Sequence, residues 1–156
     1  MKTNIFIILI ALFTNTSQVG AQDNFNHEDF AKTYFDAWNK TQMPNASEVD
    51  LDDYLVLLTD DVAYQHLPYR SADERKQNGK EILRKGMNQW RGANTSYRAK
   101  LIEVNHGHNV VIIKYQAIMT VKNEETRKER TIERNNIEVL EIDKGKVSVI
   151  RKYGKY

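Results

Sequence analysis

The chain has 156 residues, 23 Lys plus Arg against 21 Asp plus Glu, and no cysteine. A formal charge of +2 with both signs interspersed argues against a nucleic-acid binder or a membrane-surface protein. The missing thiols exclude disulfides, thiolate metal sites and lipid attachment at cysteine.

Met1-Lys2-Thr3-Asn4 is a short positive start, Ile5 to Phe13 is an unbroken apolar run, and Val19-Gly20-Ala21 places small residues where a signal peptidase needs them. The run falls short of the about 20 apolar residues that span a bilayer. The pattern predicts a signal peptide over 1–21 and one exported domain over 22–156, periplasmic or extracellular, without membrane attachment after cleavage. A domain of about 135 residues buries about two-thirds of its unfolded surface, so its own core must hold it. Asn39, Asn45 and Asn94 open sequons that matter only in a glycosylating host.

Asn26 caps a first predicted helix whose Phe30, Tyr34 and Trp38 recur every four residues, with Ala31 and Phe35 beside them, ending near Thr41. Pro44 marks a connection, and Ser47-Glu48-Val49-Asp50 starts a second helix with Leu51, Tyr54, Leu55 and Leu58 as its apolar stripe. A strand follows from Leu58, with Val62, Tyr64 and His66 on one face, and Pro68 stops it. Gly79-Lys80-Glu81 opens a third helix with Leu83, Met87 and Trp90 as its expected buried line. From Thr95 the period becomes two. Tyr97–Val104, Val110–Val121, Arg127–Ile142 and Val147–Tyr153 read as strands, with turns at 106–109, 123–125 and 143–146. Ile113, Tyr115, Ala117 and Met119 share one face. Helices first and meandering strands after predict an α+β domain, its N-terminal helices packed on one face of a curved antiparallel sheet.

This order resembles the SnoaL-like branch of the nuclear transport factor 2-like superfamily. The residues carrying the resemblance are Phe30-Ala31-Lys32-Thr33-Tyr34-Phe35-Asp36-Ala37-Trp38, Leu58-Thr59-Asp60-Asp61-Val62, Gly79-Lys80-Glu81-Ile82-Leu83 and Val139 through Val147. The resemblance covers nearly all of residues 22–156. It implies a cone-shaped sheet that encloses one apolar pocket with the helices. It does not fix an activity, because the superfamily holds isomerases, cyclases, hydrolases and plain binding modules.

Compared with the ketosteroid isomerases of that superfamily, Tyr34 falls where the first helix carries an oxyanion-binding tyrosine. His66 falls where a proton-moving aspartate stands, and Glu138 near a second oxyanion donor. The resemblance thus implies Tyr34, His66 and Glu138 as catalytic candidates, and a pocket of Tyr34, Trp38, Tyr64, His66, Tyr69 and Tyr115. An imidazole with an ordinary pKa of about 6.5 suits proton transfer near neutrality. The departures are a base of different type and an acid one methylene longer. The Asp–Arg–Asp arrangement of epoxide-hydrolase relatives is not evident, and the cyclase acid has no clear counterpart.

Each candidate has a plainer reading. His66 fits a pocket mouth or an ordinary solvated strand end, and Tyr34 fits a packing tyrosine or a ligand donor. Glu138 shares its predicted face with Ile132, Leu140 and Ile142, and is interior unless a bulge turns it to water. His106 and His108 flank a turn glycine without an acid or third histidine in register, so no metal site is expected. No phosphate loop or nucleophile motif is present, and no cofactor is expected. Two classes remain. The first is an exported domain binding a small apolar molecule. The second is a cofactor-independent isomerase, cyclase or hydratase-like enzyme using His66. With no complete catalytic set readable, the first is the safer. Apolar residues on both faces of Asn136–Ile142 further predict a homodimer that buries Ile137 and Val139, or their face-mates should a bulge shift the register, the alternative being a monomer whose long strands curl to shield both faces.

Overall fold

A computed structural model describes residues 25–123 and 126–155. The expected signal peptide, 1–21, lies outside the described residues. The elements in chain order are α1 (His27–Gln42), α2 (Glu48–Leu55), β1 (Leu58–Leu67), α3 (Gly79–Trp90), β2 (Asn94–Gly107), β3 (Val110–Lys122), β4 (Glu129–Asp143) and β5 (Lys146–Lys155).

Both predicted caps form. The Asn26 side chain accepts from the Asp29 N–H, and Ser47 and Asp50 make a reciprocal capping box at α2. α1 buries Ala31, Tyr34 and Phe35. α3 differs from expectation at its end: Leu83 is buried and Met87 packs on the core, but Trp90 is 75% exposed. Trp90 is the last helical residue, and the chain turns away there as Arg91 pairs with Glu48. Helical spacing sets the direction of a side chain, not the extent of the surface it meets.

The five strands form one sheet in the order β1-β5-β4-β3-β2. The β2–β5 meander is antiparallel, and β1 joins its edge parallel to β5. The β4–β5 turn uses Lys144 and Gly145 at φ 51° and 76°, a pair suited to a tight two-residue hairpin. Opposite Glu141 and Ile142, β5 carries one extra residue, Ser148. This bulge lets Val147 and Ile150, three apart, both face the core, where they are 0% and 1% exposed. β4 alternates cleanly. Asn136, Glu138, Leu140 and Ile142 are buried on the helix-covered face, whereas Ile137 is 41% exposed on the other. The interior reading of Glu138 is therefore the one the fold adopts.

The core lies between α1, α2 and the concave sheet face, filled by Tyr34, Tyr54, Tyr115, Leu51, Leu140 and Ile150. At the start of α3 the backbones come so close that a Cβ on Gly79 would lie 2.2 Å from the Val62 carbonyl oxygen.

Candidate functional site

Strand register puts three chemically able residues on one rung of the concave face. His66 of β1 is opposite Lys152 of β5, and Lys152 is opposite Glu138 of β4. Paired residues share a face, so all three side chains leave the sheet on the helix side. With strands about 4.8 Å apart, His66 and Glu138 stand about 10 Å apart at Cα. Exposure rises along the rung. Glu138 is 2% and Lys152 9% exposed, His66 is half-buried, and Tyr69, edge-on to the His66 ring at 5.4 Å between centroids, is 67% exposed.

The closed end of the rung is a hydrogen-bonded cluster. Tyr34 donates to Glu138 Oε2 at 3.0 Å and Tyr115 donates to Oε1 at 2.6 Å. Lys152 Nζ lies 2.7 Å from the Tyr115 hydroxyl and 3.1 Å from Glu138 Oε1. Because the single Tyr34 proton is given to Glu138, the 3.1 Å contact between hydroxyls makes Tyr54 the donor to Tyr34. The carboxylate thus accepts from two hydroxyls, of α1 and β3, and pairs with the Lys152 ammonium of β5. The Lys152 ammonium also lies over the Trp38 ring, 4.5 Å from its centroid. Burial, then the charge of Glu138, pushes the Tyr34 and Tyr115 hydroxyls well above the usual phenol range. Burial also leads the rise at Tyr97, whose hydroxyl donates to Asn39. These hydroxyls are donors at any ordinary pH.

The open end is different. His66 Nδ1 lies 3.3 Å from the Tyr64 hydroxyl. Burial, and then the cation at Lys152, lower the His66 pKa from its ordinary value of 6.5. The Glu138 charge opposes this shift and Arg134 reinforces it. Near neutrality the imidazole is therefore uncharged, with a lone pair available to accept a proton.

Of the six residues expected to line a pocket, Tyr34, Trp38 and Tyr115 gather at the closed end, and Tyr64, His66 and Tyr69 at the open end. Of the three catalytic candidates, Tyr34 and Glu138 touch directly, and Lys152 separates them from His66 on the rung. Tyr54 and Lys152 belong to this cluster and are not among the residues expected from the sequence. Lys152 could have been placed on the core face by its two-residue spacing from Ile150, but its partners depend on register. Two open clefts lie elsewhere. One of about 740 Å³ is bordered by Asp60, Asp61, Arg75, Asp143 and Lys146, and one of about 530 Å³ by Arg75, His108, Val139 and Glu141. Both are open surface depressions; the Arg75 ion pair to Asp143 borders both, and its pair to Asp61 borders the first. His106 stacks on His27 with ring centroids 4.9 Å apart. Among the described residues no group of three or more His, Asp or Glu side chains is placed to hold a metal ion.

No family model and no curated protein matches the sequence. Solved structures do match. A protein from Shewanella putrefaciens CN-32 assigned as a SnoaL-like polyketide cyclase aligns with a TM-score of 0.64 at 13% identity, covering 83% of this chain and 90% of that one. An NTF2-like protein from Anabaena variabilis ATCC 29413 aligns at 0.62 and 13% identity, covering 88% and 96%. An LEH-like epoxide hydrolase of M. tuberculosis aligns at 0.59 and 14% identity, covering 81% and 84%. Identities this low speak for the fold alone. The chain shares the cone-type α+β fold of these SnoaL-like and NTF2-like structures.

Proposed function

We propose that this is an exported small-molecule-binding domain whose ligand sits on the concave face at the open end of the His66–Lys152–Glu138 rung. The observation that carries this reading is the exposure gradient along one register line. A buried, hydrogen-bonded cluster forms the floor, and half-buried aromatic and imidazole groups stand above it. Sites for small molecules combine apolar walls with a few fixed polar groups, and Trp38, Tyr64 and Tyr69 supply the walls here. Among the structural relatives are proteins assigned as a SnoaL-like cyclase and an epoxide hydrolase, which supports a small-molecule role for the fold. The Lys2 start, the Ile5–Phe13 run and Val19-Gly20-Ala21 support export to the periplasm or beyond. A homodimer through the convex sheet face is proposed with it.

The test is a thermal-shift screen of the mature protein against apolar ring compounds and short acids, since a ligand that binds only the native state raises the melting temperature. A reproducible rise that weakens in Tyr64→Ala is expected. A flat response across all compounds overturns the reading.

One observation favours a second reading, proton transfer by His66: burial and the neighbouring cations keep its imidazole neutral. His66→Ala separates the two. A binding domain keeps its ligand, whereas an enzyme loses about 10²–10⁴-fold in turnover.

A further inference from the structure

β1 lies at one edge of the sheet, next to β5. An edge strand offers its backbone to foreign strands unless something covers it. Here the chain that leaves β1 provides the cover. It turns back after Pro68, and Arg70 exchanges two backbone hydrogen bonds with His66, 2.8 and 2.7 Å long. The same turn sets the Tyr69 ring edge-on to His66.

From there the segment crosses to the outer face of the sheet. Gln65 of β1 pairs with Arg151 of β5, and Arg151 with Val139 of β4, so these three share the face opposite to His66 and Lys152. Gln65 Nε2 donates to the Ser71 carbonyl at 2.6 Å. Arg151 donates to Asp73 Oδ2 at 3.0 Å and also pairs with Glu141 of β4. Arg75 donates to both oxygens of Asp61, at 2.8 Å each, and to Asp143 Oδ2 at 3.1 Å. Two arginines, one on the sheet and one on the segment, thus tie it to β1, β4 and β5. A planar guanidinium fork on a carboxylate fixes direction as well as distance.

We infer that residues 69–78 form a charge-latched strap, in which Arg75 and Arg151 hold Tyr69, one wall of the concave site, against His66. Both arginines are positioning residues, because they act on the site through the strap. The inference rests on the binding reading for what the strap shapes. The latch itself stands on the ion pairs and backbone bonds. Arg75, Asp61 and Asp73 are partly exposed, so dissolved ions reach the latch.

The experiment uses the mature protein without ligand. It follows protection of the Arg70 amide from hydrogen exchange, and the nuclear Overhauser contact between the Tyr69 and His66 rings. Arg75→Gln should lower Arg70 protection about threefold or more, the scale of one or a few exposed ion pairs, and Arg75→Gln/Arg151→Gln should lower it further. Arg75→Lys, which keeps the charge, should recover most of it. Wild type moved from about 0.1 M to about 1 M salt should shift in the same direction, because the screening length shrinks. In each case the ring contact should weaken in step. Arg70 exchange should also be nearly flat in dilute urea, since releasing a strap exposes little surface. Arg70 protection unchanged in the double variant and at high salt overturns the latch. So does Arg70 exchange that follows global unfolding in urea. A ring contact that persists while Arg70 loses protection overturns it as well, because the strap would not position Tyr69. The salt arm needs no substitution, so a variant that fails to fold leaves the decision there. A flat ligand screen would remove the binding reading, whereas these ligand-free measurements still decide the latch.

Discussion

Glu138 and Lys152 are cross-strand neighbours whose carboxylate and ammonium meet at 3.1 Å, with side chains 2% and 11% exposed. Such a pair is costly to bury and far costlier to break. Removing either partner leaves an uncompensated charge in the core, so Glu138→Leu and Lys152→Met should each lose about 3–5 kcal/mol of stability. The double variant should recover much of that loss. Urea unfolding of all four proteins gives the coupling energy directly. Losses that simply add would mean that the two residues do not act as a unit.

The lowered pKa of His66 has a signed consequence for stability. Burial, then Lys152, holds its folded value below 6.5, so the unfolded chain takes the proton first as pH falls. The contribution of His66 is therefore whole above about pH 6.5 and is lost as pH drops through the lower folded value. His66→Gln should flatten this part of the acid limb of the stability profile. The imidazole C2 proton, followed by NMR, should titrate below the ordinary histidine range in wild type. A midpoint at or above that range would contradict the assigned environment.

Two glycines of α3 make opposite predictions. A Cβ at Gly79 would meet the Val62 carbonyl oxygen at 2.2 Å and Asp61 backbone within 3.0 Å, so Gly79→Ala must push α3 off β1. A loss of about 1–3 kcal/mol is expected, the usual range for overpacking. Nothing lies within 4 Å of a Cβ built at Gly86, which sits in the same helix. Gly86→Ala should therefore gain about 0.5–1 kcal/mol from helix propensity. Thermal melts of the two single variants check both signs.

Local features of this chain were readable because they depend on near neighbours. The Asn26 and Ser47 caps and the Tyr34 stripe rest on spacings of three or four residues, whereas the side taken by Glu138 stays open to a bulge. The rung was not readable. It needs β1 to pair with β5 in the register that sets His66 beside Lys152, 86 positions apart in the sequence, and β5 to carry its bulge at Ser148. Hence Glu138 appeared as an unusual interior acid without its lysine, and His66 as a strand end without its charged surroundings. Tyr54 likewise read as one member of an apolar stripe. Its role as donor to Tyr34 depends on how α2 packs against α1.

The convex sheet face carries the last prediction. Ile137 of β4 pairs with Tyr153 of β5, and the two are 41% and 40% exposed. Val139 and Ile112 form the next pair on that face, both only partly covered. Because the extra residue lies at Ser148 rather than in β4, Ile137 and Val139 keep the outward parity expected of them. The helices of the core occupy the other side of the sheet. An antiparallel sheet with one wet face should alternate apolar and polar, and this central strip does not. A second copy laid across it would bury the strip symmetrically, and a stable contact needs about 1,200–2,000 Å² in total. Light scattering of the mature protein at micromolar concentration should therefore give the mass of two chains. Ile137→Lys places a charge at the centre of the strip without touching the core, and should give the mass of one chain with the fold retained. A wild-type mass of one chain rejects the dimer. A dimeric Ile137→Lys would move the interface to another face.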